Sequence, residues 1–352
     1  MKESVVLGLS GGVDSAVAAS LLGRDYDVHC VYLDIGGGDA ARRDASEVAA
    51  ALRLPFSVRS IGEPLEKHVC APFAAAYSQG RTPLPCALCN PLVKFPALFA
   101  AADEMGASFV ATGHYARIQR DDAGRCALRQ GKTKNDQAYL LARLPEKMLP
   151  RILFPLGIYE KPQVREMAKA LGLSVSQKPD SMDICFVPDG DYAGWMARRG
   201  PVPPPGDFVD AAGHVLGRHK GIHHYTLGQR RGLGIAMGRR VFVSRIDPLQ
   251  NEITLSGGDG LMAERVLCAD PNWIGIDPPS GPMAVTVKLR HTKRALDAVI
   301  TCRGDTVEIA LKTKARAPTP GQMAVFYIDD RIIGSGWISS SSLHDDEMEV
   351  LS

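Results

Sequence analysis

What the chain lacks narrows it first. No uninterrupted apolar run approaches the ~18 residues of a membrane span. The apolar run at 5–9 is too short for a signal peptide and stops at Ser10. No Gly-Lys-Ser/Thr is present, which excludes a Walker A loop. No G-x-G-x-x-G follows the first predicted strand, which argues against a dinucleotide site. Cys86 and Cys89 form a C-x-x-C, but no second pair exists to complete a four-ligand zinc site. Nor does this pair open a predicted helix directly after a strand, as a thioredoxin-type pair would. A charge excess is missing too: the net charge of +2 favours no class of partner. There is no internal repeat and no low-complexity tract. Eight cysteines without a signal point to a reducing cytoplasm, where thiols are reactive, metal-binding or buried rather than paired.

The length of 352 residues suits two or three domains of roughly 100–200 residues each. The first strand runs into Gly8, Leu9, Ser10, Gly11, Gly12, Val13, Asp14 and Ser15, and a helix follows to Leu22. Strand, glycine turn and helix gather backbone N–H groups and a helix N-terminus at one point, a ready anion site. Ser10 and Ser15 add hydroxyls, and Gly11 and Gly12 let the backbone approach a phosphate. Asp14 is the odd member, and a magnesium ion between it and a phosphate would reconcile the charges. Strands predicted over 28–33, 56–60 and 109–111 alternate with helices over 39–52, 65–77 and 93–105. This pattern predicts an α/β domain built on a doubly wound parallel sheet. Its ligands should sit at the carboxyl ends of the strands.

Residues 79–90, with Pro83, Pro85 and Gly80, read as an irregular segment, and so do residues 177–186. Residues 121–124 mark a hairpin turn. The proline cluster at 201–205 is the strongest boundary. Beyond it come short strands, glycine turns and period-two alternation, so the predicted domains are 1–198 (α/β), 199–260 (a small β module) and 261–352 (a β-barrel-like domain). Cys30, Cys126, Cys268 and Cys302 read as fillers of β structure, and Cys70 has no evident role. Cys89 and Cys185 lie in the two irregular segments and could meet over a nucleotide. Residues 211–246 hold seven Lys or Arg, Arg230 and Arg231 among them, with four His and no acid. A second basic stretch spans 288–294. Clustered positive charge among glycine turns suits a nucleic-acid backbone.

The Ser-Gly-Gly-Val-Asp-Ser loop resembles that of the ATP pyrophosphatases, which cleave ATP between the α- and β-phosphates. The whole chain resembles the bacterial tRNA-specific 2-thiouridylases of the MnmA type. The likeness rests on the loop 8–15 and on the segments 80–83, 89–90, 94–95, 111–115, 136–137, 153–157, 161–165, 180–181, 184–186, 226–234 and 319–322. The resemblance implies a cytoplasmic sulfurtransferase that replaces O2 of a tRNA wobble uridine by sulfur. ATP, with magnesium, would adenylate the oxygen. Cys185 would carry the incoming persulfide, and Cys89 would release its sulfur, leaving a transient Cys89–Cys185 disulfide. A persulfide-donating sulfur-relay protein is the implied partner, with neither membrane nor DNA involved. Gly8, Leu9, Ser10, Gly11, Gly12, Val13, Asp14, Ser15, Leu33 and Gly113 then match ATP contacts. Leu84, Pro85 and Cys86 match the segment beside the target base. His114, Asn135, Asp136, Gln137, Arg290, His291 and Gln322 match tRNA contacts.

The chain departs from the family pattern at several points. Many members carry Asn-Pro-Asp where this chain has Leu84, Pro85 and Cys86, so a thiol replaces an acid beside the base. His291 stands where Tyr is common, and the segment after Leu33 is shorter. Cys86, Cys89 and Cys185 could instead hold an iron–sulfur cluster with one open iron. The other alternative keeps the ATP loop for an ATP pyrophosphatase-type synthetase of a small molecule, which would need neither paired thiols nor basic β domains.

Overall fold

The computed structural model describes residues 2–120, 124–179, 184–291 and 294–342. Three sheets carry the chain. The first is parallel and five-stranded, from β1 (Ser4–Gly8), β2 (Asp27–Asp34), β3 (Phe56–Ser60), β4 (Phe109–Ala111) and a late strand at Ile152–Leu153, ordered β3-β2-β1-β4 with the late strand outermost. Val5, Val6 and Leu7 are fully buried because helices cover both faces of this sheet. On one side lies Val13–Leu22, apolar almost all round and correspondingly buried. The amphipathic helix Asp39–Ala51 presents Ala45, Val48 and Ala49 inward. The direction of winding reverses between β1 and β4. The loops after these two strands therefore stand side by side at the carboxyl edge, where such folds bind ligands.

A hairpin, β5 (Ala116–Arg120) and β6 (Cys126–Gln130), precedes that late strand, now β7. Its turn, residues 121–123, lies outside the described residues. The hairpin leaves the α/β part and pairs with the last strand of the chain, Arg331 opposite Arg129 and Ile332 opposite Leu128. The second sheet contains β8 (Gly206–Val209), β9 (Val215–His219), β10 (Phe242–Asp247) and β11 (Glu252–Ser256), in the order β10-β11-β8-β9. The third contains β12 (Met262–Trp273), β13 (Met283–Lys288), β14 (Leu296–Arg303), β15 (Thr306–Arg316), β16 (Met323–Ile328) and β17 (Arg331–Ser342). β12 pairs with both β15 and β17, which closes these strands into a barrel. The α/β class with a β-rich remainder is as expected.

One expectation needs correcting. The C-x-x-C is helical: Pro85–Cys89 opens a continuous helix that runs to Met105. Pro85 takes the first helical position, where its missing N–H costs nothing, so proline starts this helix rather than excluding it. The stretch Pro85–Met105 has the length and composition of a membrane span. Here Phe95, Leu98, Ala101 and Ala102 of this helix pack into the α/β core. This helix contains one π turn, Asn90–Lys94, and the earlier helical segment Gly62–Ser78 contains another, Glu66–Cys70. Both adjoin a cysteine, and π turns of this kind recur at functional sites.

Candidate active site

The loop 8–15 forms a close-fitting shell. Gly11 has φ +73°, and a Cβ there would stand 2.5 Å from the Ala41 carbonyl oxygen, so only glycine fits. Gly113, from the loop after β4, lies flat on the start of the helix: a Cβ would come within 2.8 Å of the Ser15 nitrogen. The Ser10 N–H donates to Ser15 Oγ at 3.1 Å, and Ser15 Oγ donates to the Gly12 carbonyl at 3.0 Å. Leu33, at the end of β2, packs between two apolar clusters.

Asp14 has its own counter-charge. Lys161 Nζ lies 2.8 and 2.7 Å from its two carboxylate oxygens, and Tyr115 OH donates to it at 2.6 Å. Lys178 donates to the Gly11 carbonyl at 3.2 Å and also pairs with Asp44. Two lysines thus border the loop, which the sequence reading did not assign. Lys161 was already visible as the first residue of the segment 161–165, and Lys178 had no signal of its own.

The cysteines gather next to the carboxyl end of β2, where Cys89 and Phe186 pack with Leu33 and Ile35. Cys86 is exposed, Cys89 half-buried one helical turn on, and Cys185 exposed on the facing segment. Phe186 anchors that segment, its ring packed edge-on against Phe73 at 5.3 Å and tilted against Trp195 at 5.2 Å. Residues 180–183, including Asp180 and Ser181 of the family-like pattern, lie outside the described residues. Cys89 and Phe186 pack against one apolar cluster, which sets the two cysteine segments side by side. Burial, then the neighbouring thiols Cys89 and Cys86, push the Cys185 thiol up to about 11. Burial also raises Cys89, against the pull of Lys94. Cys70, buried behind the site, is pushed up to about 12 by burial and then by Glu66. Among the described residues no three His, Cys, Asp or Glu side chains come close enough to hold a metal ion. The thiols therefore do not form a ready-made ligand set for an iron–sulfur cluster.

His114 is half-buried in an aromatic slot, 6.4 Å from Phe95 and 6.0 Å from Phe154, with Nδ1 at 2.7 Å from Thr112 Oγ1. Burial and the Lys94 charge keep it neutral. Several other residues matched to tRNA contacts act as internal braces here. Asp136 accepts from the Gly131 and Ala138 N–H groups at 2.8 and 3.0 Å. Gln137 Oε1 accepts from the Tyr115 N–H at 3.1 Å. Arg290 ties together the Leu227 and Ala317 carbonyls and Thr319. Gln322 donates to the Thr82 carbonyl at 2.9 Å, clamping the segment before Leu84 and Pro85 to the barrel. Asn135 is half-buried, and its Oδ1 has no partner among the described residues. His291 is exposed, 3.3 Å from the Asp136 carbonyl.

The middle module presents the basic face. Arg230, Arg231, Arg239 and Arg240 are exposed and have no carboxylate partner among the described residues, whereas Arg218 and Arg245 pair with Asp207 and Asp247. Arg230, Arg239 and Arg240 line a hollow of about 370 Å³. Lys293 of the second basic stretch lies outside the described residues.

Comparison with known proteins matches three family models along the chain. Residues 3–189 match the family model described as tRNA methyl transferase HUP domain, 195–257 its PRC-barrel domain, and 263–338 an aminomethyltransferase β-barrel domain. The chain is 41% identical to the tRNA-specific 2-thiouridylase MnmA of Clostridium perfringens strain 13, covering 96% of this chain and 99% of that one. It is 40% identical to the MnmA of Clostridioides difficile strain 630 (97% and 99% covered) and 42% identical to that of Heliobacterium modesticaldum (96% and 93% covered). With identity at this level over nearly the full length of each, the chain belongs to the family of tRNA-specific 2-thiouridylases.

Proposed function

We propose that this protein is an ATP-dependent tRNA-uridine 2-sulfurtransferase acting on the wobble uridine. The observation that carries the reading is the packing of Cys89 and Phe186 in one cluster with Leu33 and Ile35, at the carboxyl end of the parallel sheet that also carries the loop 8–15. ATP seats its phosphates on the amides of Gly11 to Ser15. Magnesium accompanies those phosphates, and Asp14, already neutralised by Lys161, is the one carboxylate the loop itself offers. The basic face of the middle module takes the RNA backbone, and the target base is flipped out towards Leu84, Pro85 and Cys86.

The chemistry balances as follows. The uridine O2 attacks the α-phosphate, so pyrophosphate leaves and O2 carries AMP. A persulfide delivered to Cys185 by a sulfur-relay protein attacks C2 through its terminal sulfur and displaces AMP. The Cys89 thiolate then attacks the Cys185 sulfur. This breaks the S–S bond, leaves sulfur on the uridine and oxidises the two thiols to a disulfide. A dithiol reductant resets the pair. The need for ATP, tRNA and reduced thiols places the reaction in the cytoplasm. The thiol geometry favours this persulfide route over a cluster.

The test is anaerobic thiolation of transcribed tRNA with ATP, magnesium and a persulfide donor, read by mass spectrometry. Wild type should yield 2-thiouridine, and Cys89→Ser and Cys185→Ser should each lose at least about a thousandfold in rate, as loss of a nucleophile does. Full activity in either variant would overturn the assignment.

A further inference from the structure

Lys94 stands beside the first cysteine segment without an assigned task, directly after Val93, which packs in the cluster that holds Cys89 and Phe186. It closes the π turn that starts directly after Cys89, and its backbone N–H is directed to the Cys89 sulfur. The next residue, Phe95, stacks on His114. Lys94, half-buried as a residue, thus lies between the first cysteine segment and the loop after β4, and its charge acts on Cys89, Cys185 and His114 alike. Lys94 has no carboxylate partner among the described residues. Cys86, where many family members have Asp, supplies none either. The other charged pair on this side, Glu66 with Arg199, faces Cys70 instead.

We propose that Lys94 is the electrostatic positioning residue of sulfur transfer, its ammonium holding the negative charge on the Cys89 sulfur during attack and on the departing Cys185 sulfur. This rests on the reaction proposed above. The structure supplies the need for it. Protein surrounds both sulfurs, that of Cys185 included although the residue as a whole is exposed, and this disfavours the thiolate that must act. Lys94 is the cation that opposes this at both sulfurs. A thiolate forms by losing its proton to solvent, so Lys94 alters the fraction ionised and adds no further reactant. His114 cannot share the task, because the same cation and burial keep its ring neutral.

The experiment is peptide-resolved alkylation by iodoacetamide from pH 7 to 10 on the full chain, without tRNA or ATP, comparing wild type with Lys94→Met, Lys94→Gln and Lys94→Arg. Removing a neighbouring opposite charge should move the Cys89 profile up by about one unit. At pH 8 this slows its alkylation about tenfold. Cys185 should shift in the same direction, Cys302 in the barrel should stay unchanged, and Arg should restore most of the effect. In the thiolation assay kcat should fall while KM for tRNA and ATP holds. Coincident Cys89 profiles in wild type and in either neutral variant would overturn the role of Lys94. Absence of 2-thiouridine from wild type would instead overturn the underlying reaction.

Discussion

The nucleotide loop and the sulfur site adjoin in space but are built in opposite ways. The loop is contiguous, residues 8–15, and its shape follows from close backbone contacts: Gly11 against Ala41, Gly113 against Ser15. The sulfur site is assembled. Its helical half carries Cys86 and Cys89, its facing half carries Cys185, and the barrel clamps the approach through Gln322. The middle module joins in at Gly80, where a Cβ would stand 2.6 Å from the Ile246 side chain. A local motif can preform its ligand cradle. An assembled site depends on every body that meets there, so its loss can originate far from the sulfur.

Gly11→Ala should break the first half of the comparison most severely. The left-handed backbone costs roughly 1–2 kcal/mol for a residue with a Cβ, and the clash with Ala41 adds an overpacking cost of about 1–3 kcal/mol. ATP affinity should drop about a hundredfold, equivalent to about 3 kcal/mol, while the Cys89 and Cys185 alkylation profiles stay as in wild type. Isothermal titration with a non-hydrolysable ATP analogue measures it. A shift at the thiols would show that the two regions are coupled after all.

Charge reversal at Arg230 and Arg231 probes the opposite separation. tRNA affinity should fall at least about tenfold, and the slope of log affinity against log salt should flatten by about 1.5 if two phosphate contacts are lost. ATP binding should not change, because both arginines belong to the middle module and Arg230 lines its hollow. Unaltered tRNA affinity at physiological salt would remove the middle module from RNA binding.

This contrast also explains which parts were legible in the sequence. The loop could be read because strand, glycines and helix start are adjacent residues, and their spacing states their geometry. The parallel sheet was legible for a similar reason, through apolar runs such as Val5 to Leu7 that must be covered on both faces. Lys178 escaped notice, and Lys161 was legible only as part of a family-like segment, because a lysine far along the chain carries no mark of the carboxylate it will meet. The pairing of β6 with β17 was hidden likewise, since a hairpin looks the same whether its edge is free or extends a distant sheet. The C-x-x-C was misread as irregular because Pro83 and Pro85 were both counted as breakers, although Pro85 occupies the helix position that tolerates it. The meeting of Cys89 with Cys185 could be read from family resemblance, and spacing alone left it open.

Gln322 offers the finest test, since resemblance and geometry assign it differently. Resemblance matches it to a tRNA contact, whereas its side-chain amide donates to the Thr82 carbonyl and bridges the barrel to the cysteine segment. Thr82 N–H returns a bond to the Pro320 carbonyl at 3.0 Å, so the clamp is two-sided and losing Gln322 loosens it without abolishing it. One hydrogen bond of this kind is worth about 1 kcal/mol, or roughly a fivefold effect. If Gln322 is a brace, Gln322→Ala lowers thiolation kcat by about that factor, raises hydrogen exchange across residues 80–90, and leaves tRNA affinity unchanged. If it contacts RNA, tRNA affinity falls by a similar factor and exchange in the free protein stays as it was. Measuring exchange before tRNA is added separates the two. The first outcome would mean that the barrel governs sulfur transfer by holding the cysteine segment in place, which only an assembled site allows.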